Sequence, residues 1–109
     1  MPDLRAVRTA PEPLTLALDL IVVYTDRLDA CRAFYAGLGL VFERERHGSG
    51  PEHFSTTLGS TVLELYPAGD KPPTGRLRLG LNLSAGSGLR PGSHTLNDPD
   101  GRTVVLTVT

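Results

Sequence analysis

Residues 16–40 of this chain read LALDLIVVYTDRLDACRAFYAGLGL. The first nine form a nearly continuous apolar run with β-branched members, which is typical of a strand buried on both faces. Thr25 or Asp26 can then cap a helix, because a short oxygen-bearing side chain accepts the amide hydrogens that a first helical turn leaves unpaired. The stretch therefore predicts a strand followed by a helix.

Apolar side chains in the helical part recur at three- and four-residue steps, at Leu28, Cys31, Phe34, Tyr35 and Leu38. This spacing gives a helix one apolar face over about three turns. Gly37 and Gly39 are the residues best suited to end the helix. Cys31 lies on the apolar face and is the only cysteine of the sequence. We therefore interpret it as a small buried hydrophobic residue rather than a reactive thiol.

The remaining chain predicts strands that are joined by turns. They are expected at residues 40–47, 52–58, 61–66 and 77–83, and in two short segments that flank the turn sequence NDPDG at residues 97–101. In that turn Pro99 fixes φ and Gly101 permits a positive φ. The order of elements is a strand, a helix and a series of strands.

Composition limits the class of partner. The formal net charge is −1, the sequence pI is about 6.3 and Lys and Arg form no stripe, so we expect no nucleic-acid partner. No apolar run approaches the roughly 18 residues of a membrane span, and residues 1–13 lack a signal-peptide hydrophobic region. We therefore expect a cytoplasmic protein with no membrane partner. A single cysteine also excludes an intramolecular disulfide and a thiolate metal cluster.

Three short motifs carry a family resemblance. They are Asp26 with the RAFY sequence at residues 32–35, the LGL sequence at 38–40, and DPDGR at 98–102. In this order and spacing, across residues 16–109, the chain resembles the vicinal oxygen chelate superfamily of glyoxalase I, extradiol dioxygenases, fosfomycin-resistance enzymes and bleomycin-binding proteins. The resemblance implies an α+β fold in which paired βαβββ modules form a curled mixed sheet around a cavity.

The resemblance also suggests a division of the chain. We expect an N-terminal extension at residues 1–14 and a single domain at 15–109, which comprises a first module at 15–66, a linker at 67–76 and a second module at 77–109.

The second module is expected to be shortened. The sequence SAGSGLRPGS at residues 84–93 is too short and too rich in Gly, Pro and Ser to form the helix of a complete module. Without that helix, an apolar strand face needs another cover. The face consists of Leu77, Leu79, Leu81 and Leu83. We expect either a homodimer or the N-terminal extension to cover it, although it could equally bind a different protein.

A metal site is the next implication of the resemblance, because enzymes of this superfamily hold a divalent metal with His or Glu from the first and last strand of each module. The matching positions here are Asp19, Glu64, Arg78 and Val105. Since Arg78 is a permanent cation and Val105 is an alkyl group, we expect no metal and no cofactor. Our hypothesis is that Arg78 replaces the metal as the counter-ion of Asp19 and Glu64. The same three residues could also form a purely structural cluster.

Histidines could restore a metal site, since imidazole is a common ligand. His47 and His53 lie near opposite ends of one predicted hairpin, where they can approach each other, and His94 belongs to the second module. None occupies a ligand position that the resemblance implies. We expect all three at the surface or at a cavity rim.

Two main functions follow from the resemblance. The first is metal-independent binding of a cationic or aromatic small molecule by a homodimer, as in bleomycin-resistance proteins. The expected cavity is lined by Asp19, Ile21, Val23, Val62, Glu64, Tyr66, Arg78, Asn82 and Val105. The alternative is a glyoxalase-like lyase or isomerase that removes a proton next to a carbonyl, either with a metal ion or with Arg78 stabilising the developing negative charge; Glu64 or Asp19 would be the base.

Overall fold

The computed structural model describes residues 15–84 and 88–109. Its elements are β1 (Leu20–Thr25), α1 (Leu28–Gly37), β2 (Glu43–Glu45), β3 (His53–Leu58), β4 (Thr61–Pro67), β5 (Arg78–Leu83), β6 (Gly92–Asn97) and β7 (Thr103–Val108). These elements confirm the α+β class. The predicted extension at residues 1–14 lies outside the described residues. No helix in the described ranges is long and apolar enough to cross a membrane.

The strands form a four-stranded sheet of order β1-β4-β3-β2 and a three-stranded sheet of order β5-β7-β6. β1 pairs with β4 in parallel and β5 pairs with β7 in parallel, whereas the other neighbours are antiparallel. The first sheet with α1 is a βαβββ module. In the second sheet, β5, β6 and β7 correspond to β1, β3 and β4 of the first. The described residues between β5 and β6 form no helix and no further strand. The shortened second module is thereby confirmed.

One apolar core joins both sheets and α1. Its buried members are Val23, Cys31, Tyr35, Leu38, Phe54, Leu63, Leu65, Leu79, Val104, Leu106 and Val108. Full burial of one such aliphatic side chain is worth about 1.5–3 kcal/mol. The burial of Cys31, predicted from its place on the apolar helix face, is confirmed.

The leucine face of β5 is not bare, as the sequence had led us to expect. Leu79 is buried in the core, and Leu77, Leu81 and Leu83 are partly buried and pack against it. Leu79, Leu81 and Leu83 also line a cavity of about 960 Å³, so part of this face remains accessible. An association surface at these leucines stays a prediction.

β1 is also less buried than expected. Leu20 and Tyr24 are 49% and 45% exposed, while Val23 and Thr25 are buried. Side chains of a strand alternate between its two faces, so the core covers β1 on one side alone. The expectation that β1 is buried on both faces is therefore wrong. β2 is also shorter than the predicted strand at residues 40–47.

The start of α1 differs from the predicted cap at Thr25 or Asp26. The N-cap residue is Arg27, and no side chain caps the helix. The hydroxyl of Thr25 accepts a 2.9 Å hydrogen bond from the amide of Arg27, one residue before the first helical turn, so the predicted cap was wrong. The chain turns after the helix at Gly39. Its φ of 110° is a backbone conformation that glycine adopts with little strain. The predicted helix and its C-terminal glycines are therefore confirmed.

A buried polar network connects the two modules. The hydroxyl of Tyr35 donates to Oδ2 of Asp98 (2.8 Å), and Nε of Arg102 donates to the same oxygen (2.9 Å). Nη2 of Arg102 also donates to Oδ2 of Asp100 (2.7 Å), which accepts from the hydroxyl of Thr25 as well. The RAFY and DPDGR motifs thus meet in space, where they fasten α1 to the turn before β7.

Candidate functional site

The first sheet has an outer face, which points away from the core. Leu63 and Leu65 belong to the core, so Val62, Glu64 and Tyr66 point the other way because side chains alternate along a strand. Strand pairing extends this outer face across the sheet. Its further members are Leu20, Val22 and Tyr24 on β1, His53, Ser55 and Thr57 on β3, and Glu43 and Glu45 on β2.

His53 is the centre of a polar cluster on this face. Its side chain is 1% exposed, and its Nε2 lies 3.4 Å from Oε2 of Glu64 and 3.4 Å from Oε2 of Glu45. Nevertheless Nε2 has no hydrogen-bond partner. The other ring nitrogen, Nδ1, lies 3.2 Å from the carbonyl oxygen of Pro51. Tyr66 covers the imidazole, with the ring centroids 3.9 Å apart and the planes 11° from parallel.

His47 adds a fourth side chain. Its Nε2 lies 3.3 Å from Oε2 of Glu45, and its ring centroid is 5.0 Å from that of His53. One potential ligand atom from each of Glu45, His47, His53 and Glu64 lies within 4.8 Å of all the others. We call these four residues the His53 cluster. They include two carboxylates and two imidazoles, the donor types that bind zinc and related ions.

One part of the His53 cluster follows from the sequence and another does not. The approach of His47 to His53 is confirmed, but placing His53 at the surface or at a rim was wrong, because Tyr66 and the neighbouring strands bury it. Glu45 was missed. A signal existed, since Glu45 and His53 are equally distant from Ser49 at the middle of the predicted turn, which puts them opposite each other in a hairpin.

The tyrosines make the same face aromatic. The rings of Tyr24 and Tyr66 lie 5.9 Å apart and are tilted by 49°. Desolvation, followed by the negative charge of Glu64, raises the pKa of Tyr66 above its ordinary value. Tyr66 therefore keeps its hydroxyl proton at neutral pH and can donate a hydrogen bond.

Asp19 does not lie beside Glu64, as the sequence had suggested. Val22 is the β1 residue paired with Glu64, and Asp19 is three positions away, so the two acids belong to opposite faces. Asp19 is exposed just before β1, where its carbonyl oxygen accepts a 2.7 Å hydrogen bond from the amide of Val62. Ile21 and Val23 lie two and four residues after Asp19, so they are on the same side of the chain as Asp19. Val23 belongs to the core, and Ile21 packs against it. These three residues are therefore separate from the outer face.

Arg78, Asn82 and Val105 lie together on the outer face of the second sheet, since Gly80 pairs with Val105 and the alternate residues Leu79 and Leu81 face the core. The apolar faces of both sheets meet in one core, so the two outer faces point in different directions. Arg78 is exposed and does not reach Glu64 of the same chain. The predicted counter-ion arrangement is consequently not found within one subunit.

His94, the third histidine, is remote from the His53 cluster. It lies on β6, where its Nε2 is 2.7 Å from the carbonyl oxygen of Arg90. This contact with the backbone satisfies Nε2 of His94, so the position of the side chain needs no bound ligand to explain it.

The fold resembles several solved structures. TnmS3, an antibiotic-binding protein from Streptomyces sp. CB03234, matches with a TM-score of 0.58 and 19% identity over 89% of this chain and 98% of that one. Lactoylglutathione lyase from Agrobacterium tumefaciens matches with a TM-score of 0.57 and 18% identity, over 89% of this chain and 96% of that one. An integron cassette protein from the mobile metagenome of V. cholerae matches with a TM-score of 0.57 and 18% identity, over 89% of this chain and 98% of that one. The chain has the vicinal oxygen chelate fold. No model of a protein family and no curated protein matches the sequence.

The metal-ligand positions that the vicinal oxygen chelate fold implies do not suit a metal here. Asp19 lies on the wrong face, and Arg78 and Val105 supply a cation and an alkyl group. Of that set, Glu64 alone contributes to the His53 cluster. The cluster is thus a different group of side chains, drawn from β2, β3, β4 and one turn of the first module.

This vicinal oxygen chelate fold also holds a cavity of about 960 Å³ between the two sheets. Its apolar wall includes Ile21, Leu38, Leu63, Leu79, Leu81, Leu83 and Leu106. Those residues belong to or pack against the core. The cavity is also lined by residues of the outer face, so it reaches from the apolar core to the acidic side of the first sheet; these residues are Glu43, Glu45, Ser55, Thr57 and Val62.

Proposed function

We propose that this protein binds a cationic or aromatic small molecule on the outer face of the first sheet, and that a second copy of the chain completes the site. One observation carries the proposal: the carboxylates of Glu45 and Glu64 lie beside the aromatic pair Tyr24 and Tyr66 on a sheet face that the core does not cover. Acids attract a cation, and tyrosine faces bind one through their quadrupole.

The second copy is supported by the direction of the two outer faces. In a symmetric dimer, the outer face of each first sheet can pack against the outer face of the partner's second sheet, which creates two identical sites. Val62, Glu64 and Tyr66 would then face Arg78, Asn82 and Val105 of the partner subunit. The residues that the sequence assigned to one cavity would in this way meet across an interface, with the exception of Asp19, Ile21 and Val23.

The exposed side chains of β1 support the same arrangement. Leu20 and Tyr24 are about half exposed on the outer face of the first sheet. Burial of such apolar area is a common source of association energy. The similarity to TnmS3, described as an antibiotic-binding protein, supports small-molecule binding by this fold.

The test has two parts. Light scattering after gel filtration is expected to give about twice the chain mass of 11.7 kDa, and Arg78→Glu is expected to shift the protein toward monomer. Calorimetric titration with a panel of cationic planar aromatic compounds is expected to find a ligand whose affinity falls at least about tenfold in Tyr66→Leu, because the stacking face is lost.

Glu52→Gln serves as the matched control for Glu64→Gln. Both remove one negative charge from the protein, but Glu52 is exposed outside the strands. We expect Glu64→Gln alone to weaken binding. A monomer that binds no member of the panel would overturn the proposal.

A lyase or isomerase reaction is the second candidate, and the His53 cluster favours it. Glu64 is 15% exposed beside His53, so it can act as a base in a partly desolvated site. In the dimer, Arg78 of the partner subunit could stabilise the negative charge that develops on a carbonyl oxygen. The decisive assay follows conversion of the adduct of glutathione with a 2-oxoaldehyde, and loss of turnover in Glu64→Gln but not in Glu52→Gln would support it.

A further inference from the structure

We propose that the His53 cluster binds a divalent transition-metal ion, with His53, Glu45 and Glu64 as ligands and His47 as an exchangeable fourth. This inference does not rest on the proposed function, because it uses the carboxylates of Glu45 and Glu64 as metal ligands and not as the negative charge that attracts an organic cation. All four residues belong to one module of one chain, so the site needs no second copy.

The orientation of the His53 ring is the first argument. A carbonyl oxygen can only accept a hydrogen bond, so Nδ1 donates to the carbonyl of Pro51. The remaining nitrogen, Nε2, faces the carboxylates of Glu45 and Glu64 and is the atom available to a metal ion. This is the arrangement of a metal-binding histidine, whose remote nitrogen donates to a carbonyl or carboxylate that fixes the ring.

The missing hydrogen bond of Nε2 is the second argument. The atom is buried and lacks a hydrogen-bond partner although two carboxylate oxygens lie 3.4 Å away. A buried polar atom without a partner is costly, and two carboxylates that lie this close together are stabilised by a positive charge between them. A cation bound to all three groups would satisfy both conditions.

The separations between the atoms are the third argument. Ligand atoms that bind a tetrahedral Zn²⁺ at about 2.0–2.1 Å are about 3.3–3.4 Å from one another. The separations observed here are 3.3 Å for Glu45 with His47, and 3.4 Å for His53 with each of Glu45 and Glu64. Three of the six pairs among these atoms therefore have the spacing of a coordination shell, and all four atoms lie within 4.8 Å of one another.

The ligand types indicate which ions fit. Imidazole with carboxylate suits Zn²⁺, Co²⁺ and Ni²⁺, whereas Ca²⁺ and Mg²⁺ prefer oxygen ligands throughout. The side chain of His47 is 72% exposed, compared with 1% for His53 and 31% for Glu45. His47 can therefore leave the ion and open a position for a molecule that has an oxygen donor.

The experiment is calorimetric titration of EDTA-treated, dialysed protein with Zn²⁺ and with Mg²⁺, together with elemental analysis after gel filtration. We expect one Zn²⁺ per chain and no comparable binding of Mg²⁺. Binding of Co²⁺ adds a second readout, since the visible spectrum of the ion reports its coordination geometry. No zinc at stoichiometric level, or equal binding of Mg²⁺, would refute the site.

Variants locate the ion. Glu45→Gln and Glu64→Gln are each expected to raise the Kd for Zn²⁺ at least about tenfold, the scale on which even a supporting residue of a metal site acts, and His47→Asn is expected to have a smaller effect. His94→Asn is the matched control, because His94 bonds to a backbone carbonyl outside the cluster. A larger loss in His94→Asn than in Glu64→Gln would place the ion elsewhere and contradict the inference.

Arg78→Glu separates this inference from the proposed function. Arg78 lies on the other sheet, so this variant is expected to disrupt the dimer and its ligand site while the Kd for Zn²⁺ stays within about twofold of the wild-type value. Zinc binding to a monomer with no organic ligand would support the metal site and count against the function. Binding of an organic cation without zinc would do the reverse.

Discussion

The hydroxyl of Tyr35, in the last turn of α1, donates a 2.8 Å hydrogen bond to the buried carboxylate of Asp98, 63 residues later in the chain. Because Asp98 precedes β7, this contact joins the helix of the first module to the sheet of the second. Burial is the main cause that raises the pKa of Tyr35, followed by its hydrogen bond to Asp98. The phenol is therefore a permanent donor at any pH at which the protein is studied.

Tyr35→Phe is expected to lower the free energy of unfolding by about 1–3 kcal/mol, because a buried carboxylate loses one of its donors while the ring still fills its site. Urea unfolding followed by circular dichroism measures the change. Tyr24→Phe is the control, since Tyr24 is half exposed, and its effect is expected within about 0.5 kcal/mol. Equal effects of the two variants would contradict a special role for the contact of Tyr35 with Asp98.

The lowered pKa of Asp100 is expected to make the free energy of unfolding decrease in acid. Burial by itself would raise the pKa of Asp100, but hydrogen bonds from Thr25 and Arg102 and the charge of Arg102 outweigh it, and the pKa lies below its ordinary value of 3.8. The unfolded chain therefore takes up the proton at a higher pH than the folded protein does. The stabilisation is complete above about pH 4 to 5 and is lost as the pH falls through the two pKa values.

Asp100→Asn tests this dependence. We expect the free energy of unfolding of the variant to be lower at pH 6 and to fall less steeply than that of the wild type between pH 5 and about pH 2. Asp29→Asn, in the exposed first turn of α1, is the control. Parallel curves for wild type and Asp100→Asn would show that the ion pair with Arg102 contributes no pH dependence.

Cys31 is expected to be unreactive in the folded protein. The side chain is fully buried, and burial raises the pKa of the thiol, so little thiolate is available for reaction. A thiol reagent such as DTNB should react at the rate of structural opening under native conditions and within seconds in guanidinium chloride. Stoichiometric labelling of the native protein at the rate of a free thiol would disprove this prediction.

Gly101 holds the turn between β6 and β7 at a φ of 86°. Gly101→Ala is therefore expected to cost about 1–2 kcal/mol, because an L side chain is strained in the left-handed region. Gly37→Ala is a matched control, as Gly37 ends α1 with nothing within 4 Å of an added Cβ, and we expect it to be neutral or stabilising by up to about 1 kcal/mol. Thermal unfolding of both variants gives the comparison.

Strand pairing explains which site predictions succeeded. Glu64 was correctly placed on a face with Val62 and Tyr66, because alternation along one strand is a local property. Asp19 was placed on that face as well, but the position of β1 relative to β4 is set by pairing across 42 residues, in which Leu20 lies opposite Val62. A change of one residue in such a register exchanges the faces, so sequence periodicity could not fix it.

Features that depend on neighbouring residues could be read from the sequence: the apolar periodicity and end of α1, the turn at Asp98 to Gly101, and the absence of a second helix among the described residues 84 and 88–91 between β5 and β6. Each follows from backbone preferences within a few positions. Only the tertiary structure decided that the two sheets share a core and direct their outer faces apart, and that Glu45 and Glu64 converge on a buried His53. Those relationships arise because strand pairing and packing bring together side chains that are distant in the sequence. The energies of such long-range contacts cannot be read from a local sequence pattern.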